Sequence, residues 1–355
     1  MRGGLSMQLK ISKSTYRSIL KSLISVALAL VVTSVLFILT GANPVLAYYY
    51  MFVGAFGNFS LTVETLVRMT PILLVSLGLA VSFKCKVWNI GAEGQLYMGA
   101  MVGTIAAVSL GNTPVTLLIS IALCILAGMA WAGIPALMKT HLGINEVITT
   151  FLMNYVAIYF VQWLIAFPFR SPDTLFPESA QLPAAAILPI LVPSTRLHLG
   201  VLIAIFLAIP LVYLLMMRST FGYKLKAVGE NPEAAKYGGI NIKRTMLMAL
   251  VISGALAGLA GFFEVSGIQF RMRGSLSPGY GYTGIVVALL GQNNPIGVAI
   301  SSIFIAAIYN GAFEVSRVLN QPQGIVDFIQ GVLIIFVLSS ESIMRFLEKK
   351  GVIKL

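Results

Sequence analysis

Long runs of apolar residues recur along most of this chain, and they constrain its fold more than any other feature. A membrane-spanning helix needs about 20 mostly apolar residues. Eight runs approach or exceed that length, and two shorter or glycine-interrupted runs complete a predicted set of ten spans. The predicted spans are residues 22–40, 62–83, 87–109, 114–138, 147–167, 197–217, 246–266, 281–292, 296–315 and 325–345. The chain is therefore predicted to be an all-α, polytopic integral membrane protein.

Composition and charge agree with a place in the bilayer. Of the 355 residues, 58% are hydrophobic and 10% are charged, and the mean hydropathy is +0.91, which is too apolar for a soluble globule. The net charge of +12 would suggest nucleic acid as a partner of a soluble protein. Threading ten spans from a cytoplasmic N-terminus instead places 18 of the 24 lysines and arginines inside, as the positive-inside rule requires. No nucleic-acid partner is expected, and both termini are predicted to be cytoplasmic.

The predicted domain organisation is simple. Residues 1–21 form a basic cytoplasmic N-terminus, residues 22–345 one transmembrane domain, and residues 346–355 a cytoplasmic tail. The first apolar run could belong to a signal peptide, but the nine spans after it and the long basic segment before it favour an uncleaved helix. Cys85 and Cys124 lie at the end of one span and inside another, so no disulfide is expected.

Two connections between predicted spans are long enough to have a function beyond joining helices. Residues 168–196 contain six prolines and are predicted to lie outside as a stiff, irregular loop or re-entrant cap. This loop either shapes the outer mouth or takes part in binding. Arg271 and Arg273 are also placed outside, where they pair with acidic groups of a binding protein or remain solvated.

The second long connection, residues 218–245, is predicted to face the cytoplasm and to contain one very short helix over residues 232–237. Asn231 is a good N-cap and Pro232 fits the first helical position, while the glycines at 238 and 239 supply a C-terminal stop. A short isolated helix is marginal in water, so these caps favour a helix that docks against another surface. The alternative is a solvated basic loop attracted to anionic lipid headgroups, which leaves the caps unexplained.

A polar cluster lies where the third span begins. Asn89, Glu93 and Gln95 are separated by Gly91 and Gly94. If the segment is helical, Glu93 lies about 10 Å beyond the basic residues that mark the inner membrane face. A carboxylate at that depth must face water or a protein partner. The cluster either contacts substrate directly or joins helices through hydrogen bonds.

Other polar and aromatic side chains are candidates for the substrate path. Asn154 and Tyr155 lie in the fifth span, and Phe263 and Glu264 lie near the outer end of the seventh. Together they could line a path for a ring with hydrogen-bonding edges. Packing is the alternative for each of them.

The order of the spans is compatible with an internal repeat. Spans 2–5 and 7–10 pair at an offset of five, and because five is odd the two halves would be inverted. Spans 3 and 8, the two short or glycine-interrupted ones, are then equivalent. Interrupted spans at a repeat interface are where a substrate path is expected.

Three functional classes compete on the residues alone. The chain has no P-loop of the form GxxxxGK[ST], so any ATPase must be a separate subunit. An ion-coupled transporter needs acidic groups at the midplane, and Glu93 keeps that class open, but it leaves residues 218–245 unexplained. A membrane enzyme is disfavoured because His141 and His198, the two histidines, fall on opposite sides and no paired carboxylates or nucleophile–base motif is present. No metal site is predicted.

Four segments carry a family resemblance. "AVGENPEAAKYGGINIKR" at 227–244 resembles the cytoplasmic coupling segment of the bacterial ABC importer permeases that include the ribose and branched-chain amino acid systems. Three further segments, "KVWNIGAEGQLYMGA" at 86–100, "GINEVITTFLMNYVA" at 143–157 and "GYTGIVVALLGQNNPIG" at 281–297, resemble a narrower branch. That branch comprises the nucleoside-uptake permeases that work with basic-membrane-protein-type lipoproteins.

The resemblance implies a transport subunit of the bacterial plasma membrane that does no chemistry itself. Its expected partners are a second permease, two ATPases that bind ATP and magnesium, and an extracellular substrate-binding lipoprotein. Nucleosides are the first expected substrate, simple sugars the second, and branched-chain amino acids or vitamins follow. The residues that match the coupling pattern are Gly229, Glu230, Asn231, Pro232, Ala234, Ala235 and Gly239.

Overall fold

The computed structural model describes residues 30–320 and the single positions 322, 324, 327, 328, 331, 332, 335 and 339. In this part of the chain every regular element is a helix, and β-structure is limited to two isolated bridges. The all-α prediction is therefore confirmed. Two compact units are present: residues 55–310 form one, and the described residues before and after them form the other.

The helices have the following bounds. In chain order they are α1 Leu30–Leu39, α2 Pro44–Phe56, α3 Phe59–Lys84, α4 Ala92–Leu110, α5 Thr116–Leu142, α6 Glu146–Ala166, α7 Leu199–Arg218, α8 Thr220–Glu230, α9 Pro232–Tyr237, α10 Ile242–Gln269, α11 Tyr280–Leu290 and α12 Pro295–Val318. The last turn of α10, Val265–Gln269, is π-helical.

Within the described residues, six helices are long and apolar enough to cross a membrane, namely α3, α5, α6, α7, α10 and α12. They confirm the predicted spans 2, 4, 5, 6, 7 and 9. The α1–α2 pair would pass as one further span, bent by 114°. The 11 residues of α11 extend about 16 Å, half of the roughly 30 Å of bilayer hydrocarbon. The predicted termini 1–21 and 346–355, part of the first predicted span and most of the last lie outside the described residues.

Glycines set the distances between helices in the unit formed by residues 55–310. Gly254 and Gly258 of α10 lie against Gly128 of α5, and Gly258 also lies against Gly99 of α4. A Cβ atom added at any of these positions would overlap backbone atoms of the facing helix. Small residues allow such close backbone approach, and the resulting van der Waals contact drives helix association in a bilayer.

The smaller unit has its own apolar core. Phe37 of α1 and Ala47 of α2 pack with Ala312 and Val315 of α12. The ring of Phe37 meets the ring of Tyr48 edge to face at 5.8 Å. This contact explains how the bent pair is held together, because both rings lie next to the bend.

The segment 218–245 differs from its prediction as a loop with one short helix. Most of its first half is α8, which Ser219 caps by accepting a hydrogen bond from the Gly222 amide at 3.1 Å. Leu225 and Val228 of α8 are buried. The prediction rested only on the caps of the helix over 232–237. It did not use the apolar residues that recur at helical spacing among the lysines of α8. The predicted helix over 232–237 is confirmed as α9.

The proline-rich residues 168–196 are irregular, as predicted, with a single 3₁₀ turn at Ala184–Ala186. Glu178 in this loop accepts hydrogen bonds from Arg271 and Arg273, both at 3.1 Å. Both arginines thus pair with an acidic group of the same chain, although one carboxylate offsets only one of their two charges and the Arg273 side chain is still 51% exposed. Their role is to fasten the loop to the end of α10.

The glycine contacts lead to a stability prediction. We expect Gly128→Ala to lower the free energy of unfolding by about 1–3 kcal/mol, because the added methyl group overlaps the facing backbone. Gly133→Ala is the matched control, since it lies on the same helix with no atom within 4 Å of the added Cβ. Thermal melting of the detergent-purified protein measures both. Equal melting temperatures for the two variants would contradict close helix contact at Gly128.

Candidate functional site

The backbone leaves the helical conformation just before the polar cluster. Helix α3 ends at Lys84, Lys86 has a positive φ of 55°, and residues 87–91 are not helical. Helix α4 begins at Ala92. The predicted third span, 87–109, therefore starts five residues too early, and the depth derived for a fully helical segment does not apply. The non-helical stretch has backbone groups that must find partners outside a helix.

Asn89 and Gln95 form a reciprocal amide pair across the start of α4. Each side-chain amide donates to the oxygen of the other, at 2.9 and 3.0 Å. Asn89 also donates to the Ser253 hydroxyl of α10 at 2.9 Å and accepts from the Gly91 amide at 3.0 Å. Both side chains are almost completely buried. The pair thus ties the break before α4 to α10.

Helix α6 supplies the remaining partners for the break. The Asn154 side chain accepts from the Gly94 amide at 2.8 Å and donates to the Ile90 carbonyl at 2.7 Å. It also donates to the Tyr282 hydroxyl at 3.3 Å. The Thr150 hydroxyl accepts from the Ile90 amide at 3.1 Å. Side chains of α6 therefore replace the backbone hydrogen bonds that a continuous helix would have made.

Glu93 joins the first turns of α4 and α11. Its carboxylate accepts a hydrogen bond from the Gly281 amide at 2.6 Å, and the side chain is only 3% exposed. Gly281 lies so close that a Cβ there would overlap the backbone of Glu93. A carboxylate at a helix N-terminus satisfies a free amide and interacts favourably with the helix dipole. Glu93 faces protein rather than lipid, as expected from its charge.

The structure thus brings four of the seven predicted substrate-path residues together, namely Asn89, Glu93, Gln95 and Asn154. Each hydrogen bond described for them joins two groups of the protein. Their chemistry is suited to holding the start of α4 between α6, α10 and α11.

The other three predicted residues lie elsewhere. Tyr155 is 44% exposed on the outer surface of α6. Phe263 is buried, with its ring beside Gly200 of α7. Glu264 is 7% exposed and accepts a hydrogen bond from the Gln269 amide at 3.2 Å. These residues are therefore not part of the cluster at the start of α4.

Glu264 borders a cavity at the end of α10. The cavity has a volume of about 540 Å³, which lies within the range of small-molecule pockets, roughly 300–1,000 Å³. Its walls are mostly polar and include both signs of charge. They are formed by Arg196, Glu264, Ile268, Gln269, Phe270, Arg273 and Ser275.

Helix α9 has both of the caps that its sequence predicts. The Asn231 side chain accepts from the Ala234 amide at 3.1 Å. At the other end, Gly239 takes a positive φ of 78°, and the Ile240 amide donates to the Ala235 carbonyl at 3.0 Å. This hydrogen bond closes the helix as a glycine C-terminal motif does.

The seven predicted coupling residues divide into two groups. Gly229 and Ala235 are buried, and Gly229 lies against the Lys84 carbonyl at the end of α3 so closely that a Cβ would overlap it. Gly229 thus places the end of α8 directly against the end of α3. The other five are exposed: Glu230, Asn231, Pro232, Ala234 and Gly239.

One exposed residue of α9 was missed. Tyr237 is 92% exposed at the end of this helix. A large aromatic side chain left in solvent at the tip of a short helix is typical of a protein-binding anchor. The sequence could have indicated Tyr237, because it is the one aromatic residue in a short, mostly polar helix.

Within the described residues, no three His, Cys, Asp or Glu side chains lie close enough together to hold a metal ion. Cys85 and Cys124 are both free and buried.

Comparison of the sequence with known families defines the class of the protein. Residues 61–338 match the family described as branched-chain amino acid transport system / permease component. Since this match covers more than half of the chain, the protein belongs to that family of multi-pass membrane permeases, and the resemblance inferred from its four segments is confirmed.

Several curated relatives align along nearly the whole chain. The glucose ABC transporter permease protein TsgB13 of Haloferax volcanii is 36% identical, over 91% of this chain and 88% of the relative. The guanosine ABC transporter permease protein NupP of Bacillus subtilis is 32% identical, over 94% and 97%. The nucleoside ABC transporter permease protein NupB of Lactococcus lactis is 31% identical, over 95% of each. No solved structure matches the chain.

The contact between Glu93 and α11 leads to a second prediction. We expect Glu93→Ala to lower the free energy of unfolding by about 1–3 kcal/mol, because it leaves the Gly281 amide buried without a partner. Glu93→Gln should keep most of the stability and the uptake, since an amide oxygen can accept the same hydrogen bond. Thermal melting and solute uptake in cells measure the two effects. If Glu93→Gln abolishes uptake while the melting temperature is unchanged, the carboxylate has a role in transport beyond this contact.

Proposed function

We propose that this chain is the permease subunit of an ABC importer that takes up nucleosides. The observation that carries the proposal is the similarity along nearly the whole chain to permeases named for guanosine and for nucleosides. Simple sugars are the second candidate, because a relative of comparable coverage is named for glucose. Membership in a family of permease components favours this assembly over an ion-coupled transporter or a membrane enzyme.

The proposed assembly contains a second permease, two ATPases that bind ATP and magnesium, and an extracellular lipoprotein that delivers the solute. The chain itself carries no cofactor in this proposal. It lies in the bacterial plasma membrane with both termini in the cytoplasm. Two features support the ATPase contact: α9 is capped at both ends, and most of its residues are exposed.

We further propose the full set of ten spans with an inverted repeat of spans 2–5 and 7–10. The contact between α4 and α11 supports this arrangement. In the proposal these helices belong to the equivalent spans 3 and 8, each follows a non-helical segment, and their first turns meet at Glu93 and Gly281. Short or interrupted helices that meet at a repeat interface are typical of transporters with inverted repeats.

In this proposal, α9 transmits the motion of the ATPases to the membrane helices. The buried Gly229 and Ala235 couple the segment rigidly to α3 and to the start of α10, while the exposed residues face the ATPase. A test of docking must therefore change exposed residues, because a charge placed at Ala235 would disrupt the chain itself.

The docking role predicts the effect of changes at the tip of α9. We expect Tyr237→Ala combined with Ala234→Arg to leave insertion unchanged and to reduce uptake and co-purification of the ATPase by about tenfold or more, since aromatic anchors often dominate an interface. Tyr223→Ala is the matched control, because Tyr223 is 71% exposed on the neighbouring α8. Normal ATPase recovery and uptake in the double variant would refute docking through α9.

The substrate assignment is tested in cells that express the complete transporter. We expect uptake of labelled guanosine that excess unlabelled nucleoside inhibits and excess glucose leaves unchanged. Uptake should stop when ATP is depleted and the ion gradients are kept, because the energy comes from the ATPases. Uptake of glucose alone would favour the sugar reading, and concentration of solute by an ion gradient without ATP would refute the ABC assignment.

A further inference from the structure

The exposed surface of α6 is divided into two stripes of different chemistry. Residues four apart on a helix lie on one face, and two such rows on α6 are exposed. The apolar stripe has no polar side-chain atom and consists of Ile148, Leu152, Val156 and Phe160. The aromatic stripe consists of Phe151, Tyr155 and Tyr159, and the exposed Gln162, three residues beyond Tyr159, adds a carboxamide to its two phenol groups.

The rings of the aromatic stripe follow one another without a gap. Phe151 and Tyr155 meet edge to face at 5.4 Å, and Tyr155 and Tyr159 are nearly parallel at 6.5 Å. Neither tyrosine hydroxyl has a hydrogen-bond partner among the described residues. Both side chains are well exposed, at 44% and 64%.

The depth of these hydroxyls in the bilayer indicates whether they face lipid or a polar environment. Helix α6 has 21 residues and so is about 30 Å long, close to the thickness of bilayer hydrocarbon. Tyr155 lies about 14 Å from its first residue and Tyr159 about 20 Å, whereas membrane tyrosines are enriched near the two interfaces. A phenol without a partner near the bilayer centre is unfavourable in lipid. The aromatic stripe therefore faces a polar environment, while the apolar stripe beside it is suited to lipid.

The aromatic stripe also borders the polar cluster where α4 and α11 meet. Tyr282 of α11 is 37% exposed, and its hydroxyl accepts a hydrogen bond from Asn154, the neighbour of Tyr155 in sequence. Near the other end of the stripe, the Gln162 side chain lies beside Gly274, in the connection that precedes α11. The exposed rings thus run alongside the interrupted helices, where a transporter of this layout is expected to open its path.

We propose that Phe151, Tyr155, Tyr159 and Tyr282 form one wall of a hydrated passage along which the heteroaromatic ring of the solute moves by stacking. This inference rests on the proposed function and identifies which residues serve a substrate with a planar base. Aromatic side chains stack on any base because every base has a π-face. A row of rings in succession lets a base leave one ring as it meets the next, and water or the solute's hydroxyl groups satisfy the phenols.

Cysteine labelling tests whether the passage is hydrated. Single cysteines replace Tyr155 and Tyr159 in the complete transporter, and Val156→Cys and Phe160→Cys are matched controls from the apolar stripe, with exposures of 53% and 42% in the wild type. The wild type, with its buried Cys85 and Cys124, gives the background. We expect a charged, membrane-impermeant methanethiosulfonate to label the tyrosine positions at least about tenfold faster, because the reactive thiolate forms in water and not in lipid.

Excess guanosine should slow the labelling of both tyrosine positions several-fold. Labelling as slow as in the controls would overturn the proposal and indicate that lipid or a second permease covers the stripe. Fast labelling that guanosine leaves unchanged would also overturn it, because the passage would then be wet but not used by the base. Guanosine uptake by the wild type and by the Val156→Cys transporter is measured in the same preparation. If neither takes up guanosine, the proposed function is refuted. If both take it up normally while the cysteines at 155 and 159 stay unlabelled, only this inference is refuted.

Ring replacement separates stacking from structure. Tyr155→Phe keeps the ring and should retain guanosine uptake within about twofold, whereas Tyr155→Leu should lower it by about tenfold, the scale of one base–aromatic stacking contact. Val156→Leu, on the apolar stripe, should behave as the wild type. The amount of transporter in the membrane is measured for each variant. Normal guanosine uptake in Tyr155→Leu would overturn the stacking role.

Discussion

The segment between α3 and α4, residues 85–91, is not helical, and the rest of this structure depends on how its backbone groups find partners. A buried backbone group without a partner is costly, so side chains must supply the hydrogen bonds that a helix would have given. Asn89 satisfies the Gly91 amide, and Thr150 and Asn154 satisfy both backbone groups of Ile90. Because these bonds hold the start of α4 in place, Glu93 can reach the first turn of α11. The junction of α4 and α11 thus depends on a few amide, hydroxyl and carboxylate groups.

Close glycine contacts keep that junction in position. Gly99, Gly128, Gly254 and Gly258 let α4, α5 and α10 approach until their backbones touch. In lipid this packing replaces the hydrophobic effect as the force between helices. Ser253, which accepts a hydrogen bond from Asn89, directly precedes one of these glycines, so the polar and the packed parts of the core meet on α10. We propose that the exposed surfaces beyond this core, at α9 and along α6, serve a partner subunit and the solute respectively.

Features encoded by neighbouring residues could be predicted. The long apolar runs identified the six span-length helices, and Asn231 with the glycines after Tyr237 identified the bounds of α9. The cluster of Asn89, Glu93 and Gln95 stood out because polar side chains are rare in such runs. Helix α8 was missed because the prediction used only the caps of α9, although Leu225 and Val228 carry the apolar face of α8. The pairing of Glu178 with two arginines more than 90 residues away had no local signal.

The sequence by itself therefore determined that this is a helical membrane protein, where most of its spans lie, and that a capped helix interrupts a basic connection. These properties depend on composition, apolar length and caps, which act within a few residues. Only the tertiary structure decided that Ala235 is buried while Ala234 is exposed, that Asn89 meets Ser253, and that two neighbouring rows of α6 are both left exposed. The physical reason is that each of these features depends on which distant helix packs against which face of another helix. Residues that are neighbours in sequence do not specify that packing.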